Sequence, residues 1–178
     1  MTRDDFRQQF PSFTAIRDVD LDTLLGALET SEAQKGSDVI SAGRKNSNLY
    51  LIRDGRLQVS LDSGGQCTVL GEFGPGQWLG EMGMIEPETA GVARVSAVED
   101  CVLLKLSHAD FMALRRSDVS LTSVLLQVFC ESLAERLRCT MQLVYEDESE
   151  TDTRGDATMG WFLEVARQVM GIAARTGT

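Results

Sequence analysis

Residues 79–97 read LGEMGMIEPETAGVARVSA, and the reading of this stretch decides the rest. Gly80 carries no side chain, so the backbone there can come close to an anion. Residues 81–85 suit a single helical turn, whose free N–H groups would point at such an anion. Packed inward, Met82 and Met84 would instead make GEMGM a structural turn. The second half, from Glu86 to Ala93, holds no cation, and the next arginine is Arg94. Residues 81–97 thus read either as an anion-binding loop or as the remnant of one.

Outward from this loop, the chain shows strand-like periodicity. NLYLIR and RLQVSL flank Asp54-Gly55, a pair that favours a hairpin turn of type I′. Leu57, Val59 and Leu61 alternate with Gln58 and Ser60, which predicts one buried face. SGG at 63–65 and Gly74-Pro75-Gly76 mark further turns, with QCTVL as a strand between them. VARVSAVEDCVLLKL, residues 92–106, predicts two more strands with a turn near Glu99-Asp100. Short strands at this spacing predict a small barrel or sandwich.

Helical spacing takes over at both ends. Leu21, Leu24, Leu25 and Leu28 predict a helix within residues 1–30, capped by Asp20 or Asp22, with Gly36 and Ser37 breaking the pattern. Ser107 and Asp110 read as an N-cap and its partner. From Phe111 an apolar stripe runs on through a long helix at about 119–145, with charged residues opposite. So long a stripe exceeds what one small barrel covers, and a two-fold partner helix is the expected cover. EDESETDTRGD opens an acidic linker at 146–157. Residues 158–174 predict a short amphipathic helix within a C-terminal segment 158–178. Its expected fates are folding back onto the dimer or docking on an unknown protein partner.

Composition narrows the function. The 178 residues carry 27 acidic and 17 basic side chains, a formal net charge of -10. Such a surface repels nucleic acid and anionic membrane. No apolar run reaches the roughly 18 residues of a membrane span, and the N-terminus MTRDDFRQQF has no secretory character. A cytoplasmic protein is expected, with Cys67, Cys101, Cys130 and Cys139 as thiols whose spacing matches no metal site. The single histidine, His108, reads as a surface residue of a first helical turn. No Walker loop, nucleophile motif or metal cluster occurs, so neither enzyme nor metal site is expected.

The order of helices, strands and long helix, with GEMGMI between, resembles the cyclic-nucleotide-binding domain family. NLYLIRDGRLQV, LGEFGPGQWLGE, VSAVEDCVLLKLSHADF and LAERLRCTMQ carry the resemblance, which covers about residues 10–145. The last of these looks like the dimer helix of the bacterial catabolite-activator branch. The resemblance implies an α+β fold: a jelly-roll-like β-barrel with N-terminal helices and a long C-terminal dimerisation helix, in a domain spanning 1–145. It implies a possible cAMP or cGMP ligand held by Gly80, Glu81, Met82, Gly83, Gly91, Val92 and Ala93, with Glu81 accepting from the ribose 2′-hydroxyl. Arg136 would pair with that glutamate and Thr140 would meet adenine, while Met141 stands where that branch has a small hydroxyl residue.

The family's phosphate-binding arginine falls on Gly91 in this chain. Arg94 lies three positions on, and in a strand an odd offset turns it to the opposite face. A loop longer by three residues would bring Arg94 back as the phosphate contact. Two functions follow from the resemblance. One is a dimeric adaptor that has lost strong nucleotide binding. The other is a sensor that binds cAMP or cGMP and passes the change through the long helix. The short remainder after Tyr145 leaves no room for a DNA-binding helix pair.

Overall fold

The computed structural model describes residues 1–63 and 66–150, and after Arg138 it describes only the side chain of Met141. The chain divides into two compact units, Met1–Val128 and Phe129–Thr178. The first opens with helices α1, Arg3–Gln9, and α2, Asp18–Ala27, joined through a 3₁₀ turn at Pro11–Phe13. Eight strands follow in two antiparallel sheets. They are β1, Glu29–Ala33; β2, Asp38–Ile40; β3, Asn48–Asp54; β4, Leu57–Ser63; β5, Gln66–Phe73; β6, Trp78–Leu79; β7, Arg94–Ala97; and β8, Cys101–Ser107. Between β6 and β7 lies the short helix α3, Glu81–Ile85, and after β8 come α4, His108–Ser117, and α5, Val119–Glu150.

The sheets run β1-β8-β3-β6 and β2-β7-β4-β5. They face each other without closing into a continuous barrel, which refines the jelly-roll-like barrel expected from the sequence. Tyr50, Ile52, Leu79, Cys101 and Leu103 from the first sheet meet Leu57, Val95 and Ala97 from the second in one buried cluster. Along β4, Leu57 is inward at 0% exposure and Leu61 is buried, but the predicted alternation breaks at Ser60, which is buried as well while Val59 is only half-buried, because the register shifts between Val59 and Ser60.

Asp54-Gly55 does not make the expected hairpin. β3 pairs with β6 and β8, whereas β4 pairs with β5 and β7, so the chain changes sheets at this point. A type I′ turn needs positive φ at both central residues, and only Gly55 has it, at 85°. The glycine is required for a second reason: a Cβ there would sit 2.4 Å from the Asp100 carbonyl oxygen. The hairpin lies one connection later, where β4 pairs with β5 from Leu57↔Phe73 to Ser63↔Gln66. The Gly74–Gln77 turn is as expected, with Gln77 N–H donating to the Gly74 carbonyl at 3.1 Å.

β1 is a strand that apolar periodicity missed. Its residues, ETSEA, are mostly exposed and polar, and ladder pairing with β8 rather than burial makes it a strand. At the N-terminus, α2 begins at Asp18 with Arg17 as N-cap and no side-chain cap. Asp20 and Asp22 therefore do not cap it. Asp20 is instead buried at 2% exposure and takes the Arg17 guanidinium at 2.7 Å. Phe6, Phe10 and Phe13 pack together, and the Phe13 ring meets Trp78 edge-on at 5.8 Å, tying the helices to β6.

Ser107 caps α4 as the sequence predicts, its hydroxyl accepting from Asp110 N–H at 3.1 Å. In α5, Leu121, Leu125 and Val128 are buried within the first unit. In the second unit Phe129 is buried, Leu137 and Met141 are exposed, and Arg138 pairs with Glu135 at 3.1 Å. α5 continues to Glu150, five residues into the stretch read as an acidic linker. The remainder of that linker and the 158–174 helix lie outside the described residues. Among the described residues no helix is long and apolar enough to cross a membrane.

Candidate functional site

The candidate site is the α3 turn with the strand-like segment after it. Gly80 caps α3 with φ 100°, a backbone state that L side chains rarely adopt. A Cβ on Gly80 would lie 2.3 Å from the Asn48 carbonyl oxygen, and one on Gly83 would lie 1.8 Å from that of Asn46. Both glycines therefore press the turn against the chain entering β3. The Asn46 side-chain amide braces that chain, donating to the Asn48 carbonyl at 2.9 Å.

Between the glycines, Glu81 is buried at 1% exposure. Met84 is buried and Met82 is 55% exposed, so the expectation that both methionines pack inward holds for Met84 only. The five-residue helix presents just one of the two to the core, since successive helical residues diverge by about 100°. His108 is not simply a surface residue. Its backbone N–H donates to the Ser47 carbonyl at 2.9 Å, and its Nδ1 lies 3.2 Å from the Met84 carbonyl oxygen. It thus links α4 to both the turn and the chain beneath it. A cavity of about 110 Å³ opens beside it, lined by Met84 and Ile85, by Phe111, Met112 and Arg115 of α4, and by Leu126 of α5.

Residues 86–93 run antiparallel to the loop between β2 and β3. Ala90 bridges to Lys45, Gly91 N–H donates to the Arg44 carbonyl at 3.0 Å, and Gly43 N–H donates to the Gly91 carbonyl at 2.8 Å. Gly91 and Ala93 are half-buried and Val92 is exposed. A Cβ on Gly91 would meet nothing nearer than the Arg44 carbonyl oxygen at 3.8 Å, so a side chain has room there. Lys45 Nζ lies 2.5 Å from Glu88, and this contact holds the Glu88 carboxyl below its ordinary pKa.

Arg94 opens β7, where Val95 and Ala97 are buried and Arg94 itself projects to the other face. Its Nε lies 2.7 Å from Asp38 Oδ1, and this pairing raises the guanidinium pKa further. Arg94 is thus engaged by Asp38 on the face of β7 opposite Val95 and Ala97. Beneath the segment, Val95 pairs with Val59 and Val59 with Gly71. Nothing lies within 4 Å of where a Gly71 side chain would start, which leaves space beside the apolar cluster.

Of the residues expected to hold a ligand, Gly80, Glu81, Met82 and Gly83 lie in the α3 turn seated against the chain entering β3, while Gly91, Val92 and Ala93 lie in the segment that pairs through Gly91 with Gly43 and Arg44. Arg136, half-buried, and Thr140 belong to α5 in the second unit, and the Thr140 side chain lies outside the described residues. Sequence reasoning did not place residues 43–48 against both the α3 turn and Gly91. The signal there was the adjacent Arg44-Lys45 after Gly43, two cations together in an acidic chain.

Comparison with known proteins gives the arrangement a context. The model of the cyclic nucleotide-binding domain matches residues 30–118. The chain is 32% identical over 113 residues to the Pycsar effector protein XpPycTIR of Xanthomonas perforans, covering 64% of this chain and 36% of that protein. It is 29% identical over 128 residues to the cAMP-activated global transcriptional regulator Vfr of Pseudomonas aeruginosa, covering 70% of this chain and 58% of Vfr. Among solved structures, the catabolite activator protein of Thermus thermophilus superposes with a TM-score of 0.66 at 27% identity, over 77% of this chain and 63% of that one. The chain thus spans between about a third and three fifths of these relatives.

Proposed function

The chain belongs to the cyclic nucleotide-binding domain family, and from that membership we propose that it is a non-catalytic regulatory sensor that binds a cyclic nucleotide, cAMP or cGMP, at the α3 turn. The observation that carries this reading is the seating of Gly80 and Gly83. Each approaches a carbonyl of the chain entering β3 so closely that any side chain would displace backbone. Such a seat holds the first-turn N–H groups in place before a ligand arrives, which lowers the ordering cost of binding. Buried Glu81 is the acceptor for a ribose hydroxyl, and the space beside Gly71 receives the ligand's apolar side.

Output passes through α5. A ligand that shifts α3 moves the Met84 carbonyl, and with it the His108 ring and the cavity wall shared with Leu126. A ligand changes the helix only by preferring one arrangement over the other. In the second unit Leu137 and Met141 are exposed apolar side chains of α5, and they supply the face of a homodimer.

Gly91 favours a second reading, that of a dimeric adaptor without a ligand. With no guanidinium at 91 and Arg94 held by Asp38, a bound phosphate would lack the charge partner the family places there. Titration calorimetry with cAMP and cGMP separates the two. Saturable heat at micromolar nucleotide supports the sensor, and silence up to millimolar nucleotide supports the adaptor. Sedimentation equilibrium, with and without nucleotide, tests the dimer: a Leu137→Glu variant should shift it to monomer.

A further inference from the structure

We propose that Arg44 supplies the positive charge that Gly91 lacks, gripping the cyclic phosphate from the loop alongside; this rests on the sensor reading above. The backbone places it there. Residues 41–44 form a turn in which Arg44 N–H donates to the Ser41 carbonyl at 3.3 Å and Gly43 takes φ 71°. Gly43 N–H and the Arg44 carbonyl then share Gly91 as their partner, at 2.8 and 3.0 Å. Two residues opposite one, with the first a left-handed glycine, is a β-bulge. The residue across the ladder from Gly91 is therefore Arg44.

Residues opposite each other in an antiparallel pair project from one face, with Cβ atoms about 4.5–5.5 Å apart. Arg44 thus leaves the ladder on the side where a Gly91 side chain would leave it. The next pair, Lys45 and Ala90, alternates to the other face, and there Lys45 is engaged by Glu88 at 2.5 Å. Arg44 is exposed, and its guanidinium makes no hydrogen bond or ion pair with the described residues. A carboxylate takes up Arg94, Lys45 and the three arginines that brace the N-terminal helices, Arg3, Arg7 and Arg17. Arg44 is available for a phosphate, and its planar fork fits two phosphate oxygens at once. One strand spacing, about 4.8 Å, is within the span of its side chain. The charge has moved across the ladder rather than disappeared.

The test is calorimetric titration of cAMP, cGMP, cCMP and cUMP into the full chain and into R44A, R44K, K45A and the double variant R44A/G91R. Thermal melts accompany each, and R44A should melt as the parent does, because the side chain is exposed and makes no hydrogen bond or ion pair with the described residues. R44A should raise the Kd by about thirtyfold or more, as expected for loss of charge-assisted bonds. R44K should fall between, since an ammonium keeps the charge but not the fork. K45A should stay within about threefold. G91R should restore binding in the R44A background, because it returns the charge to the same face.

Equal affinity of R44A and the parent overturns the inference and leaves the sensor reading standing. Equal losses in R44A and K45A also overturn it, since they reveal diffuse attraction by surface charge. Failure of the parent to bind any of the four nucleotides overturns both.

Discussion

In residues 80–85 one backbone is wedged against another; in residues 86–93 it is only laid alongside. The first half meets the carbonyls of Asn46 and Asn48 at distances no Cβ tolerates. The second half is held by ladder bonds between Gly91 and both Gly43 and Arg44, while the side-chain position at 91 stays open, with 3.8 Å to the nearest atom. Steric wedging dictates residue type. Backbone pairing does not, because the ladder uses groups that every residue but proline carries. The contrast explains how the α3 turn keeps its shape while the position where the family resemblance expects an arginine is free to hold glycine.

Gly83→Ala presses hardest on this contrast. In an ordinary exposed helix this change stabilises, by up to about 1 kcal/mol. Here it should destabilise by about 3 kcal/mol, the upper range for overpacking against atoms that cannot yield. Urea denaturation measures it, with Gly26→Ala in α2 as comparison. Nothing lies within 4 Å of that position, so the helical gain should appear there undiminished. If both alanines stabilise, the wedge is not as described.

Gly91→Arg probes the permissive half. Stability should change by less than about 0.5 kcal/mol, as for a surface substitution. Nucleotide affinity should rise at least about tenfold, in line with a new charge-assisted contact. An arginine that folds well but leaves affinity unchanged would mean that this side of the ladder does not face the ligand.

Asp38→Ala should have the smallest effect. It releases Arg94 from a partly exposed pair, 41% and 34% accessible, for which solvent screening limits the loss to under about 1 kcal/mol. Nucleotide binding should be unaffected, because β7 turns Arg94 to the outer face whether or not Asp38 holds it. Stronger binding by the Asp38→Ala protein would show that Arg94 can reach the ligand after all.

The fold was largely legible in the order of elements. The Ser107 cap and the short α3 turn depend on neighbours within a few residues, and both stand where local chemistry puts them; the alternation in β4 fails at Ser60, where the pairing with β5 shifts register. Asp54-Gly55 misled for a physical reason. A positive-φ glycine permits a tight reversal but does not say which strand the chain will join. β1 escaped because edge pairing, not an apolar stripe, makes ETSEA extended. His108 and Arg44 escaped because their roles arise from contacts 24 and 47 positions away in sequence, with Met84 and Gly91 respectively.

Sequence alone determined that a short helical turn follows Gly80 and that no cation stands between Glu86 and Ala93. Both follow from residue type and spacing; that Gly91 stands where an arginine is expected is what the family resemblance implies. Only the tertiary structure decided that Arg94 belongs to Asp38 and that Arg44 stands across from Gly91. Pairing between distant segments sets which face a side chain leaves from, and a one-residue bulge is enough to change it.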